Sequence, residues 1–284
     1  MTNSKIIFIG ASEFAVPALE KLIKNNYTLL AVVTALDKPV GRKQEITPPP
    51  VKKAALKYKP PILQPEKISN IKSEISNLKP DLIIVAAYGQ IIPKNILEIP
   101  KFGCLNLHPS LLPKYRGPSP IQTAILNGEQ ETGITIMKMD EKIDHGPIIA
   151  QKKIILSGKE NYQTLEKKLS QLTANFLIEI LPQYLQNKIK PQEQKHGQAT
   201  YTKILSRDDG KIDWNKSAPE IERMVRAFYP WPGVWTEFNG QRVKILKVKI
   251  VDQKLILELI QPAGKKPMTG EEFFRGHPDV KIDS

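Results

Sequence analysis

Cysteine is nearly missing from this sequence. Cys104 is the single one in 284 residues, which excludes an internal disulfide and a cysteine metal cluster. Flanked by Gly103 and Leu105, it reads as a buried core thiol, and a reducing, cytoplasmic setting is expected. Long apolar runs are missing too. None approaches the roughly 18 residues that a membrane span needs, and Met1-Thr2-Asn3-Ser4-Lys5 leads straight into a strand pattern with no leader-like segment, so no membrane partner is expected. A third absence concerns glycine. The first apolar run, Ile6-Ile7-Phe8-Ile9-Gly10, passes into Ala11-Ser12-Glu13 without the later glycines of Gly-x-Gly-x-x-Gly, which excludes dinucleotide binding. Internal repeats and low-complexity tracts are absent. Acidic residues are the scarcer charge, 29 against 42 Lys plus Arg, leaving a net charge of +13 and a pI near 9.5. Charge alone leaves two readings open: a polyanionic partner held by phosphate neutralisation, or a Lys-rich background composition that also shows in Ile and Asn.

What is there suffices for a large core. Apolar residues make up 40% and charged residues 25% of the chain, a balance that fits two soluble domains. Phe14 to Asn25 has helical spacing through Phe14, Ala18, Leu19 and Leu22, and Leu29 to Thr34 completes a βαβ unit. Residues 37–45 show no periodicity and read as a long exposed loop, left through Pro48-Pro49-Pro50 into a short helix. A helix is expected over 68–78. The run 81–89 is the most hydrophobic strand and so the central one. A helix over 120–127, an edge-side strand over 148–156 and a long helix over 162–185 follow. Residues 189–206 turn polar around Pro191 and Gly197 and read as a linker. Beyond them come a short helix, the aromatic turn Tyr229-Pro230-Trp231-Pro232-Gly233 and three alternating stretches that predict a small antiparallel barrel. The expected fold is therefore α/β, with a doubly wound, mostly parallel sheet in residues 1–188, a linker over 189–206 and an OB-like barrel in 207–284.

The chemistry concentrates between Gly103 and Asp144. Cys104-Leu105-Asn106-Leu107-His108 alternates as a strand and stops at Pro109, so Asn106 and His108 share a face near its carboxyl end, where parallel sheets bind ligands. A second strand, Gly133 to Met139, is followed by an acidic turn that delivers Asp144 before His145-Gly146-Pro147. Taken singly, an Asn or His at a strand end is more often a cap or a turn former. Together the three make an acyl-transfer set, in which Asn106 is a neutral oxyanion donor, His108 a proton carrier, and Asp144 a base or an orienter of His108. Between them, Ser110-Leu111-Leu112-Pro113 holds two leucines beside polar groups, suited to a flat aromatic ligand.

Asn-x-His, then Ser-Leu-Leu-Pro-x-Tyr-Arg-Gly, a Thr-Gly-Ile-Thr-Ile strand and an Asp-x-Gly-Pro turn resemble the 10-formyltetrahydrofolate-dependent formyltransferases, and within them those that act on methionyl-tRNA. The likeness runs through most of the chain, including Lys211-Ile212-Asp213-Trp214, Arg226 to Pro232 and Gln261 to Lys266. It implies transfer of a formyl group from 10-formyltetrahydrofolate to the amino group of initiator methionyl-tRNA, for translation initiation. The same likeness makes Asn106, His108 and Asp144 catalytic. It sets Ser110, Leu111, Leu112 and Pro113, with Tyr88, Gly89 and Ile91, against the folate, and carries Arg42 and Lys43 to the acceptor end of the tRNA. No metal is implied, and a monomer is expected. Glycinamide ribonucleotide formyltransferases share the catalytic set but lack a barrel and the basic loop, and amino-sugar formyltransferases lack that loop. A tRNA-binding protein without catalysis is the rival of another class. One departure stands out: between Gln253 and Leu255 the family usually carries further strands, so the barrel is expected to be shortened.

Overall fold

The computed structural model describes residues 4–41 and 43–277. Arg42, expected at the tRNA, lies outside the described residues. The chain begins as its periodicity predicts, with β1 (Lys5–Gly10), α1 (Val16–Lys24) and β2 (Thr28–Val33). Ala18, Leu19 and Leu22 form the buried stripe of α1, three residues within two turns. The loop expected over 37–45 is instead an exposed ribbon. β3 (Lys38–Val40) and β4 (Glu45–Thr47) pair antiparallel, and the Gln44 side chain donates to Gly41 O at 2.8 Å within the turn. Only three residues pair on each side, too few for an alternation to stand out in sequence. Lys43 is exposed in that turn.

α2 (Pro50–Leu56) and β5 (Ile62–Leu63) come next. The helix expected over 68–78 starts as a 3-10 turn at Ile68–Ile71 and becomes α3 only over Lys72–Leu78. β6 (Leu82–Ala86) is buried throughout and lies at the centre of a seven-stranded sheet. After α4 (Lys94–Leu97) come β7 (Cys104–His108), α5 (Pro120–Leu126), β8 (Glu131–Lys138), β9 (Ile148–Ile155) and α6 (Tyr162–Leu185). The strand order is β5-β2-β1-β6-β7-β8-β9, so β9 is an edge strand, as its alternation suggested. β1 pairs in parallel with β2 and β6, as β2 does with β5 and β6 with β7, whereas β8 runs antiparallel to β7. That reversal sets Thr135 opposite His108 and Met137 opposite Asn106.

Contacts divide the chain into two compact units. One takes in the chain up to Pro118, Thr132–Ile154 and Glu166–Tyr201; the other takes in Ser119–Glu131, Ile155–Leu165 and the chain from Thr202 on. In the second unit are α7 (Ala218–Ala227), β10 (Val234–Phe238), β11 (Gln241–Val251), β12 (Lys254–Pro262), β13 (Met268–Thr269) and α8 (Gly270–Arg275). Its four strands form an antiparallel sheet in the order β10-β11-β12-β13. Where the expected strands are missing, Val251 pairs with Lys254 and the chain turns in two residues, Asp252 at φ 49° and Gln253 at φ 66°, the backbone of a tight hairpin.

Candidate active site

β7 fixes two of the three expected catalytic residues. Leu105 and Leu107 are buried in one register, and Cys104, Asn106 and His108 share the other, with Asn106 alone only half-buried. His108 is 4% exposed. Past Pro109 the chain forms a tight loop built on its own backbone and on Thr135. Thr135 Oγ1 donates to Ser110 O at 2.6 Å and accepts from Leu112 N at 3.1 Å, Ser110 Oγ donates to Lys114 O at 2.7 Å, and Gln151 Nε2 donates to Leu112 O at 2.8 Å. The loop ends with Tyr115 at φ 62° and Gly117 at φ 104°, which points Tyr115 O at His108 Nε2, 2.9 Å away. A carbonyl only accepts, so Nε2 carries a proton and Nδ1 is the nitrogen left to face the site.

The turn after β8 supplies the third residue. Lys138 N donates to Pro147 O at 2.9 Å and closes the turn, and a Cβ on Gly146 would sit on the Lys138 carbonyl oxygen. That is the steric reason for glycine in the Asp-x-Gly-Pro motif. Asp144 stands at φ 46°, and its carboxylate is shared three ways. Asn106 Nδ2 donates to Oδ1 at 3.0 Å, Gly117 N donates to Oδ2 at 2.8 Å, and His108 Nδ1 lies 3.5 Å from Oδ2. The cluster is largely closed to water, with the Asp144 side chain 13% exposed. A carboxylate that can take a proton, a neutral amide and an imidazole nitrogen thus meet at one point, and Asn106 keeps a second amide hydrogen for a further acceptor.

The residues expected against a folate do not form one surface. Ser110 and Leu112 are buried within the loop, and Tyr88 packs into the core with Ile7, Ile9, Val33, Ile83 and Val85. Burial raises the Tyr88 phenol above its usual range. Leu111 and Pro113 are half-buried, Gly89 at φ 85° borders open space, and Ile91 is exposed. Leu111, Pro113, Gly89 and Ile91 are therefore the members of that set with surface to offer. The remaining three are enclosed by protein.

Several residues at the site are ones the motifs left without a role. Residues 189–206, expected as a linker, are bonded into place over much of their length. Gln192 and Ile148 exchange backbone bonds of 2.7 and 2.8 Å, Thr200 O accepts from Arg116 N at 2.9 Å, and Thr200 Oγ1 accepts from Tyr115 N at 2.8 Å. Arg116, 1% exposed, donates through Nη2 to Gln194 Oε1 at 2.7 Å and to His196 Nδ1 at 2.9 Å. His196 stacks on His145 at 4.0 Å between centroids. Most of the segment is exposed, while Gln194 and Thr200 tie it to the backbone around Tyr115 and Asp144.

A mostly parallel α/β sheet that brings Asn106, His108 and Asp144 together is an arrangement suited to group transfer. The chain belongs to the formyl transferase family: the family model described as "Formyl transferase" matches residues 4–181, and "Formyl transferase, C-terminal domain" matches residues 204–255. The methionyl-tRNA formyltransferase of Thermodesulfovibrio yellowstonii is 45% identical over 297 residues, covering 96% of this chain and 96% of that protein. That of Bacillus subtilis is 40% identical over 301 residues, covering 96% and 95%. Among solved structures, a methionyl-tRNA formyltransferase from Clostridium thermocellum matches with a TM-score of 0.63 at 19% identity, covering 94% of this chain and all of that one, 100%. WlaRD, a sugar 3N-formyl transferase solved with dTDP and 5-N-formyl-THF, matches with a TM-score of 0.68 at 21% identity, covering 94% and 100%. The family expected from the Asn106-to-Asp144 motifs is the one the chain belongs to, and the structural likenesses bear out its fold.

Proposed function

We propose that this chain transfers the formyl group of 10-formyltetrahydrofolate to the α-amino group of methionyl-tRNA, the initiator form above all. The observation that carries the reading is the Asp144 carboxylate, held by Asn106 and Gly117 and faced by His108. The two long relatives named above, both methionyl-tRNA formyltransferases, support the choice of acceptor.

In the reaction the amine lone pair attacks the formyl carbon and the carbonyl electrons move onto its oxygen. Asp144 accepts a proton from the attacking nitrogen. The free amide hydrogen of Asn106 and a proton on His108 Nδ1 face the oxyanion. The oxyanion electrons then re-form the carbonyl as the bond from carbon to N10 breaks, N10 takes the proton that Asp144 accepted, and the products are tetrahydrofolate and the formylated amine. A positioned base contributes about 10²- to 10⁴-fold, and one oxyanion donor about 10²- to 10³-fold. For the tRNA, the reading assigns Arg42 and Lys43 to the acceptor end and residues 207–284 to the body of the molecule. In the latter, Arg242, Lys244, Lys247 and Lys249 project from the exposed register of β11, with Glu258 paired to two of them at 3.0 and 3.6 Å.

The test is transfer of labelled formyl from 10-formyltetrahydrofolate to initiator methionyl-tRNA, elongator methionyl-tRNA and a nucleotide-linked amino sugar. Preferential labelling of the initiator is expected; labelling of the sugar in its place overturns the reading. Arg42→Ala should raise the Michaelis constant for charged tRNA or lower turnover on it. It should leave folate binding unchanged and make the salt dependence shallower by about one phosphate contact. Lys at that position should rescue only in part, because the bidentate fork is lost.

A further inference from the structure

Two buried polar side chains sit beside the Asp144 cluster. Arg116 is 1% and Gln194 is 4% exposed. The Gln194 amide is used completely. Its Nε2 donates to Asp144 O at 2.9 Å and to Gly146 O at 2.7 Å, and its Oε1 accepts from Arg116 Nη2 at 2.7 Å and Nε at 3.2 Å. Carbonyls only accept and a guanidinium only donates, so these partners fix which way the amide points.

We propose that Gln194 is a positioning residue for Asp144, clamping the backbone of the base to the segment that carries Arg116 and Gly117. The inference rests on the reading of Asp144 as the base. Asp144 holds φ 46°, in the left-handed region that Asp visits more readily than most side chains, so fixing it there takes contacts on the turn. The contacts come from two sides. Asn106 Nδ2 and Gly117 N hold the carboxylate, and Gln194 holds the carbonyls at both ends of the turn. The same Gln194 oxygen anchors Arg116, whose neighbour Gly117 supplies the N–H on Asp144 Oδ2. One side chain therefore sets both the base and the donor that aims it. The burial of Arg116 beside the base is explained by this anchoring.

Gln194→Glu tests the role, since it keeps the volume and an oxygen for the buried Arg116 while removing both donors to the turn. Misplacing a reacting group by about 1 Å lowers rates on the order of 10²-fold. A fall in kcat of about 10- to 100-fold is expected, with Michaelis constants for folate and charged tRNA within about twofold of wild type and the folded fraction by circular dichroism unchanged. Combined with Asp144→Asn, Gln194→Glu should add nothing, because the base it positions is gone. The paired variant Arg116→Met/Gln194→Met removes the clamp together with the buried charge and should show the same selective loss of kcat. Wild-type kcat in a folded Gln194→Glu, a full further loss in the Asp144→Asn background, or failure of both variants to fold would each overturn the positioning role. Failure of the underlying reading shows separately, as near-normal turnover by Asp144→Asn itself.

Discussion

Replacing Asp144 by Asn separates the chemistry of the site from its architecture. In the wild type each carboxylate oxygen accepts one bond, Oδ1 from Asn106 Nδ2 and Oδ2 from Gly117 N. An asparagine offers one acceptor and one donor group. Gly117 N–H is backbone and cannot turn, so the new carbonyl oxygen must face it and the new amino group must face Asn106. Asn106 can answer by rotating its amide to present its own oxygen, which keeps both hydrogen bonds. The loss in stability is then that of turning two charge-assisted bonds into neutral ones, about 1–2 kcal/mol. Turnover should fall much further, because the base is gone and the Asn106 donor has turned away from the formyl oxygen. Base loss at about 10²- to 10⁴-fold and donor loss at about 10²- to 10³-fold put the combined effect on the order of 10⁴-fold or more. Urea unfolding and single-turnover formyl transfer measure the two quantities. The rotation is checked by adding Asn106→Ala, which alone should cost about 10²-fold or more but should cost almost nothing in the Asp144→Asn background. Turnover above about 1% of wild type in Asp144→Asn, or a full Asn106→Ala effect on top of it, would refute this account.

Three further outcomes follow from the packing. Burial pushes the Cys104 thiol up to about 12 from an ordinary 9.0, so the unfolded chain loses this proton first. The thiol's contribution to stability is constant below about pH 9 and falls as pH rises towards 12, by up to about 4 kcal/mol. Tyr184, raised by burial to about 12 from 10.0, adds its slope only above about pH 10, so Cys104→Ala should flatten urea stability between about pH 9 and 10; an unchanged slope there would contradict the assignment. Leu112→Asp buries a charge at a residue 3% exposed and should lower stability by several kcal/mol, visible as a fall in Tm. Leu111→Asp, at a half-buried position, should instead spare the fold and weaken binding of a folate analogue. Gly146→Ala sets a methyl group on the Lys138 carbonyl and should cost about 1–3 kcal/mol along with turnover; wild-type Tm would show that the turn yields.

Periodicity carried much of the fold. β6 reads as the central strand because a strand covered on both faces is apolar throughout, and α6 occupies 162–185 as its spacing predicts. Asn106, His108 and Asp144 were legible because each lies where a strand runs out. Gln194 and Arg116 were not, for a physical reason: a buried polar residue looks like a surface one until its partners are known, and the partners of Gln194 lie 78 and 50 residues away in sequence. Thr135 was hidden in the same way, a strand residue whose hydroxyl organises the loop at Ser110 and Leu112. Tyr88 is a different case. The family likeness set it against the folate; the backbone turns at Ala87, φ 45°, and the ring packs into the core.

The shared carboxylate also bears on how little the site must move. In the proposed reaction the negative charge of the set starts on Asp144. When Asp144 takes the proton of the attacking amine, that charge is replaced by one on the formyl oxygen, so the net charge of the set stays constant while its position shifts by a few ångströms. Asn106 offers one amide hydrogen to Oδ1 of Asp144 and holds the other for the oxyanion, and a proton on His108 Nδ1 faces the same space. The bond to Oδ1 weakens as the carboxylate becomes neutral, and the bond to the oxyanion strengthens as that oxygen becomes charged. A single set of donors thus serves both ends of the transfer with no reorganisation at the moment of reaction, the condition under which fixed dipoles contribute most to catalysis. His108 can meet that condition only while Tyr115 O holds Nε2 at 2.9 Å, and Tyr115 is in turn held by Thr200 from the segment that also carries Gln194. The polar stretch at 189–206 is in this sense part of the active site's frame.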